Sequence, residues 1–320
     1  MAEVNWAAIR ERALGGFAAS SLPPTLKLPS LPHAVTLFVQ KAGDPKATVG
    51  DLAKIVQTDT GLTVELLKYV NSSFVGLRQK ASSVQAAISL IGIRQSRMLL
   101  VATGMEAAVR ARNSKLINQG CFWNASLQKA LFAKEVAVLL KADGDTAFAG
   151  ALLQDYLLPV LTNDLYDGYL DFVQSREGQP ESICEFESKK FGFDHSLAAG
   201  ALAHRWNLPD ELICCILHHH EGLRILADPE LGRSSVAAVA LSALLPDQLR
   251  QQYRGLEQLM KLGEKWKAFN LEELAGIVDE KHAELGLGVR NDFPLSRRCS
   301  VISTDPSSYS DGTLYAVAAG

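Results

Sequence analysis

Disulfide and zinc-finger spacings are both missing from this 320-residue chain. Its five cysteines, Cys121, Cys184, Cys214, Cys215 and Cys299, are odd in number and form no CxxC pair. Reduced, non-ligating thiols in a reducing compartment are therefore expected. Long hydrophobic runs are missing too. The uncharged stretch at 234–246 has 13 residues, against the ~20 that a membrane-spanning helix needs. The first residues lack the basic start and apolar run of a secretory leader, so the expected place is the cytoplasm. Neither sign of charge is in excess. Lys and Arg total 32, Asp and Glu 35, and the net charge is −3, which gives no electrostatic footprint for nucleic acid or an anionic membrane. GxSxG, GxxxxGK[ST], HExxH and GxGxxG are absent, and with them the usual signatures of serine hydrolases, P-loop enzymes, zincins and dinucleotide binders.

Strand alternation and hairpin turns are also lacking. What is present is helical periodicity nearly everywhere. In 49–59, Leu52, Ile55 and Val56 recur on one face, and Thr48 with Asp51 forms an N-terminal cap close to a capping box. Leu62, Leu66, Leu67 and Val70 share a face of the next segment. Gly92 stands where a helix begun after Ser83 would stop, and another helix runs from about Arg94 to Arg112. Further helices are predicted at 122–141, 146–161, 181–191, 194–206, 209–220 and 271–285. The organisation read from this pattern is an extension at 1–24, a helical half at 25–115, a second helical half at 116–288, and an irregular tail at 289–320. With 48% hydrophobic residues, the chain can bury a sizeable core without disulfides or structural metal.

Several short motifs agree in order and spacing. LPSLP (28–32), DLAKIVQTDTGLTVELLKYVNSSF (51–74) and SSVQAAISLIG (82–92) lead to Arg97 in the following helix. FWNAS (122–126), ALLQDYL (151–157), ESKKFGFDH (187–195), HRWNLP (204–209) and ILHHHE (216–221) follow. Over roughly 25–225 this set resembles the HDOD family of bacterial signalling modules, which is similar in fold to the HD phosphohydrolases. The resemblance implies an all-α, multi-helical HD-like bundle with an N-terminal helical subdomain. HD enzymes hold a divalent metal with a His from one helix, a His-Asp pair from another, and a further Asp. Imidazole and carboxylate ligands let the metal polarise phosphate and activate water. In the register of the resemblance the first His falls at Ala125 and the His-Asp pair at Gln154-Asp155. Of those three ligands only Asp155 remains, so no metal, no cofactor and no catalysis are expected.

The remaining histidines carry two readings. His218, His219 and His220 are consecutive, and on an α-helix such residues point about 100° apart, so all three cannot converge on one ion. They serve either as packing histidines, or as part of a pocket built by His195 with His219 or His220 across two helices. His195 and His204, nine residues apart, lie on opposite faces if one helix joins them. The expected relict pocket is thus Ala125, Gln154, Asp155, His195, His219 and His220. The candidate interaction surface is Asp59, Asn71, Ser72, Phe74, Arg78 and Arg97, polar or aromatic groups largely near a helix end, for which capping and turn formation are the alternative. The implied function is non-catalytic signal transduction through a protein partner. The alternatives are a metal-dependent phosphohydrolase with an altered site, or a nucleotide sensor whose ligand would be a cyclic dinucleotide.

Overall fold

A computed structural model describes residues 4–72, 75–77, 79–110, 114–174, 182–252, 254–285, 291 and 293–304. Every regular element among them is helical, as the periodicity requires. The N-terminal half contains α1 (Trp6–Leu14), α2 (His33–Ala42), α3 (Val49–Gln57), α4 (Thr60–Asn71) and α5 (Val84–Arg110). The second half contains α6 (Gln119–Leu140), α7 (Gly144–Leu153), α8 (Leu158–Asp164), α9 (Tyr166–Gln174), α10 (Ile183–Phe191), α11 (His195–Arg205) and α12 (Asp210–Leu217). A 3₁₀ stretch, His219–Ala227, leads into α13 (Ser235–Ser242), α14 (Gly255–Lys265), α15 (Leu271–Leu285) and α16 (Leu295–Thr304). No described helix is long and apolar enough to cross a membrane.

Local chemistry explains many boundaries. Thr48 and Asp51 close a full capping box on α3, which satisfies backbone donors left free at a helix start. At Gly92 the backbone turns to φ 82°, conformational space open to glycine, and the α5 segment breaks there. The predicted helix at 146–161 is two helices. Residues 154–157 form turns between α7 and α8, and Pro159 occupies the first turn of α8, where its missing N–H is harmless. The predicted helix at 209–220 likewise stops at Leu217, because His218 leaves helical geometry at φ −106°, ψ 9°.

The expected ends of the chain are corrected. Residues 6–14, assigned to an extension, form α1, which packs on α12. Residues 295–304, assigned to an irregular tail, form α16 against α15. There Leu295 and Cys299 are buried in the core. Arg298 of α16 donates to the Pro246 carbonyl at 3.0 Å and to the Gln128 side chain. The tail beyond 304 lies outside the described residues.

One contiguous apolar core runs from Ile9 to Cys299, so the two helical halves are not separately cored. Helix α6 lies along α7 with α13 across both, and α5 ties the first half to α7. α6 is buried on most faces, from Phe122 through Ala137. A helix apolar all round belongs in an interior, and any charge on it must find a partner there.

Helices α11 and α12 approach closely at Gly200, where a Cβ would stand 2.3 Å from Leu217 Cδ2 and 2.6 Å from Cγ. Gly200→Val is expected to force the pair apart and to cost about 1–3 kcal/mol as an overpacked core does. Urea denaturation measures this, and an unchanged midpoint would contradict the close approach.

Candidate functional site

The structure gathers buried polar groups from six elements around Asp155. The turn after α7 places Asp155 inside the protein, 4% exposed. One of its oxygens, Oδ2, accepts from Lys129 Nζ at 2.9 Å and from Gln154 Nε2 at 3.1 Å. Lys129 sits on α6, one turn past Ala125, and its ammonium also reaches Asp247 Oδ2 at 3.0 Å. Asp247 follows Pro246 in the loop after α13 and accepts from Gln251 Nε2 at 3.1 Å. Lys129 is 2% exposed and Asp247 8%, so this is a buried carboxylate–ammonium–carboxylate bridge. Burial alone would lower the Lys129 pKa, but the charges of Asp155 and Asp247 raise it above its ordinary value. The shift favours the charged ammonium.

The second oxygen, Asp155 Oδ1, faces the other way. It lies 3.4 Å from His195 Nε2 and 3.3 Å from His219 Nε2, and it has no hydrogen-bond partner. His220 Nε2 lies 3.0 Å from His195 Nε2, and His219 Nε2 lies 3.2 Å from it. These four atoms all fall within 4.8 Å of one another. His195 opens α11, with Asp194 as the cap whose carboxylate accepts from Leu197 N at 2.8 Å. His219 and His220 begin the 3₁₀ stretch.

Two of the three consecutive histidines therefore converge. The change from α to 3₁₀ geometry at His218 alters the 100° spacing on which the expectation rested. His218 stays outside the cluster. On α11, His195 is buried and His204 exposed, on opposite faces as the spacing implied.

The far side of each ring is held as well. His195 Nδ1 lies 2.7 Å from Glu187 Oε2, which also accepts from the His195 backbone N at 2.9 Å. The other Glu187 oxygen accepts from the Tyr169 hydroxyl at 2.5 Å. His219 Nδ1 lies 2.7 Å from the Ile216 carbonyl, and His220 Nδ1 2.8 Å from the Gln252 amide. Because Glu187 and Ile216 offer only acceptors, the hydrogens of His195 and His219 are assigned to Nδ1. Burial alone would lower the His195 pKa, yet the Glu187 and Asp155 carboxylates push it up to about 10. Burial and the neighbouring imidazoles hold His220 well below its ordinary value. Cys184 is near Glu187 and His195, but burial pushes its thiol up, and a protonated thiol is a poor ligand.

The expected relict pocket is thus assembled, with additions. Ala125 lines a cleft with Ser126, Lys129, Asp155 and Asp247. Its volume is about 10 Å3, room for a single water rather than for a nucleotide base. Lys129, Asp247 and Glu187 were not among the residues expected from the sequence. A second cleft of about 230 Å3 lies between Tyr69, Leu99, Glu106, Trp123 and Phe148, away from the cluster.

Among the candidate interaction residues, Asp59, Asn71 and Ser72 lie away from the cluster and make local contacts. Asp59 caps α4 through Leu62 N at 3.1 Å. Asn71 holds Ala81 by two bonds of 2.7 and 2.9 Å, and Ser72 donates to the Tyr69 carbonyl at 2.6 Å. These are the capping and turn contacts weighed as their alternative. Arg97 is half-buried. One turn earlier on α5, Arg94 pairs with Asp143 and with Glu211. Phe74 and Arg78 lie outside the described residues.

Residues 28–222 match the HDOD domain. The chain belongs to the HDOD family. An HDOD domain protein of unknown function from Geobacter sulfurreducens superposes with a TM-score of 0.56 at 18% identity, over 96% of this chain and 98% of that one. A Shewanella amazonensis protein, provisionally named a metal-dependent phosphohydrolase, gives 0.58 at 16% identity over 87% and 99%. A Marinobacter aquaeolei protein, provisionally named for signal transduction, gives 0.54 at 18% over 94% and 68%. At these identities the HDOD likeness shows the fold. An uncharacterised Treponema pallidum protein is 25% identical over 200 residues, 60% of this chain. This HDOD chain spans 37% of that protein's length.

Proposed function

We propose that this HDOD chain is a non-hydrolysing signal-transduction module that acts in the bacterial cytoplasm by engaging a protein partner. The observation that supports this reading is Lys129. An HD hydrolase needs a Lewis-acidic ion among its carboxylates, with an open coordination position for water. Here two carboxylates that could hold such an ion, Asp155 and Asp247, close on a lysine ammonium instead. An ammonium neutralises charge but has no empty orbital to polarise phosphate or acidify water. Ala125 supplies a methyl group where the HD pattern needs an imidazole, and the adjoining cleft admits only a water.

The test is direct. Full-length protein incubated separately with Mn2+, Fe2+, Mg2+ and Zn2+ is expected to hydrolyse neither bis(p-nitrophenyl) phosphate nor cyclic dinucleotides above the protein-free rate. Metal-dependent turnover abolished by Asp155→Ala would overturn the proposal and restore the phosphohydrolase reading.

A further inference from the structure

We propose that Asp155, His195, His219 and His220 bind one divalent transition-metal ion of the zinc type, held by four protein ligands. This departs from the residue-by-residue expectation of no metal, and it deepens the non-hydrolysing reading on which it rests.

The geometry of the four inward atoms carries the inference. Four of their separations run from 3.0 to 3.4 Å. Tetrahedral ligand atoms at zinc distances of ~2.0–2.2 Å stand roughly 3.3–3.6 Å apart, so a slight outward relaxation of the rings admits the ion. The Nδ1 sides of His195 and His219 are held by Glu187 and Ile216, so Nε2 is the atom each ring turns inward. Such outer partners are the usual means of presenting an imidazole to a metal. One proton can bridge two facing nitrogens, but it cannot satisfy three imidazoles and a carboxylate oxygen together. Asp155 Oδ1 is the atom left over, buried and without a well-formed hydrogen bond.

Charge points the same way. Asp155, Glu187 and Asp247 are three buried carboxylates against one lysine ammonium, Lys129, so the pocket is acidic enough to take a cation. Three imidazoles and one carboxylate suit zinc or cobalt better than magnesium or calcium, which favour oxygen. Four protein ligands also fill a tetrahedron, which is the mark of a structural rather than a hydrolytic zinc site.

The experiment uses untagged full-length protein stripped with chelator and titrated with Co2+ and Zn2+. One equivalent of Co2+ is expected, with the intense visible bands of a tetrahedral complex, displaced by Zn2+. Saturating Zn2+ is expected to raise the Tm, as any ligand of the native state does. His220→Ala, at a half-buried position, is expected to weaken binding by more than the ~10–100-fold typical of losing an outer partner. Glu187→Gln should fall within that range. His218→Ala and His204→Ala should bind as the parent does. No uptake by folded wild-type protein, an octahedral cobalt spectrum, or equal loss on His218→Ala would each overturn the proposal. The wild-type spectrum decides even if a variant fails to fold. Tight zinc without phosphodiester turnover supports this inference and the proposed function together. Zinc with turnover keeps the site and overturns the function, and neither zinc nor turnover keeps the function alone.

Discussion

Lys129→Ala is expected to cost about 3–5 kcal/mol, the typical penalty for removing one partner of a buried ion pair. Domains have only about 5–15 kcal/mol of stability in total, so the variant should be barely folded or unfolded at 25 °C. The loss has two parts. Alanine leaves a void in α6, a helix enclosed on most sides. More important, it strands Asp155 and Asp247 facing each other without a cation. The triple variant Lys129→Met, Asp155→Asn, Asp247→Asn keeps much of the volume and removes the charges. It should recover a large part of the stability, because apolar or neutral replacements of buried ion pairs are often tolerated. Urea denaturation of all three proteins provides the measurement. A loss below about 1 kcal/mol for Lys129→Ala would show that the ammonium is not confined between the carboxylates.

Stability of the metal-free protein should fall on both sides of a mildly acidic optimum. Burial alone would raise the Asp155 pKa, but Lys129, His195 and His219 hold it well below the ordinary carboxylate range. Its contribution is present above the unfolded value near 3.9 and is lost as the pH falls further. His195 has the opposite sign, because its folded pKa is raised to about 10. Its contribution is complete below the unfolded value near 6.5 and disappears as the pH rises to about 10. A tenfold difference in proton affinity between the folded and unfolded chain is worth about 1.4 kcal/mol, so several kcal/mol should be lost between pH 6.5 and 10. Urea midpoints of chelator-treated protein at pH 5.5 and 9.5 test this. Equal midpoints, or a higher one at pH 9.5, would refute it. Zinc-loaded protein should behave differently, because a bound metal replaces the proton and favours deprotonated ligands.

Much of the fold was legible in the sequence because helical periodicity and caps are local. Thr48 with Asp51 and the stop at Gly92 depend on neighbours within a turn. The site was legible only in part. Asp155 and Gln154 stand out through motif register, and both do meet at the buried centre. Lys129 was missed, although a lysine in the apolar run around Ala130–Ala133, four residues beyond Ala125, is a local signal of a buried cation on the same helix face. Asp247 had no such signal, since its partner is 118 residues away. Glu187 opens the motif ESKKFGFDH, but its contact with His195 depends on how α10 turns into α11. The α-helical spacing left open whether His219 or His220 joins His195, and the 3₁₀ stretch lets both do so. Gly222, at φ 55°, is the sequence mark that this spacing does not continue.

The Lys129 charge is attached to the chain, and that changes what can take it away. A dissolved cation can be chelated, diluted or withheld by a starving cell, and its place can be taken by a competitor. A lysine ammonium arrives with synthesis, one per molecule, in the correct place as soon as α6 packs. Asp155 therefore presents one oxygen to a permanent partner and the other to whatever the surroundings supply. Half of this polar centre is independent of the medium from the moment the protein folds.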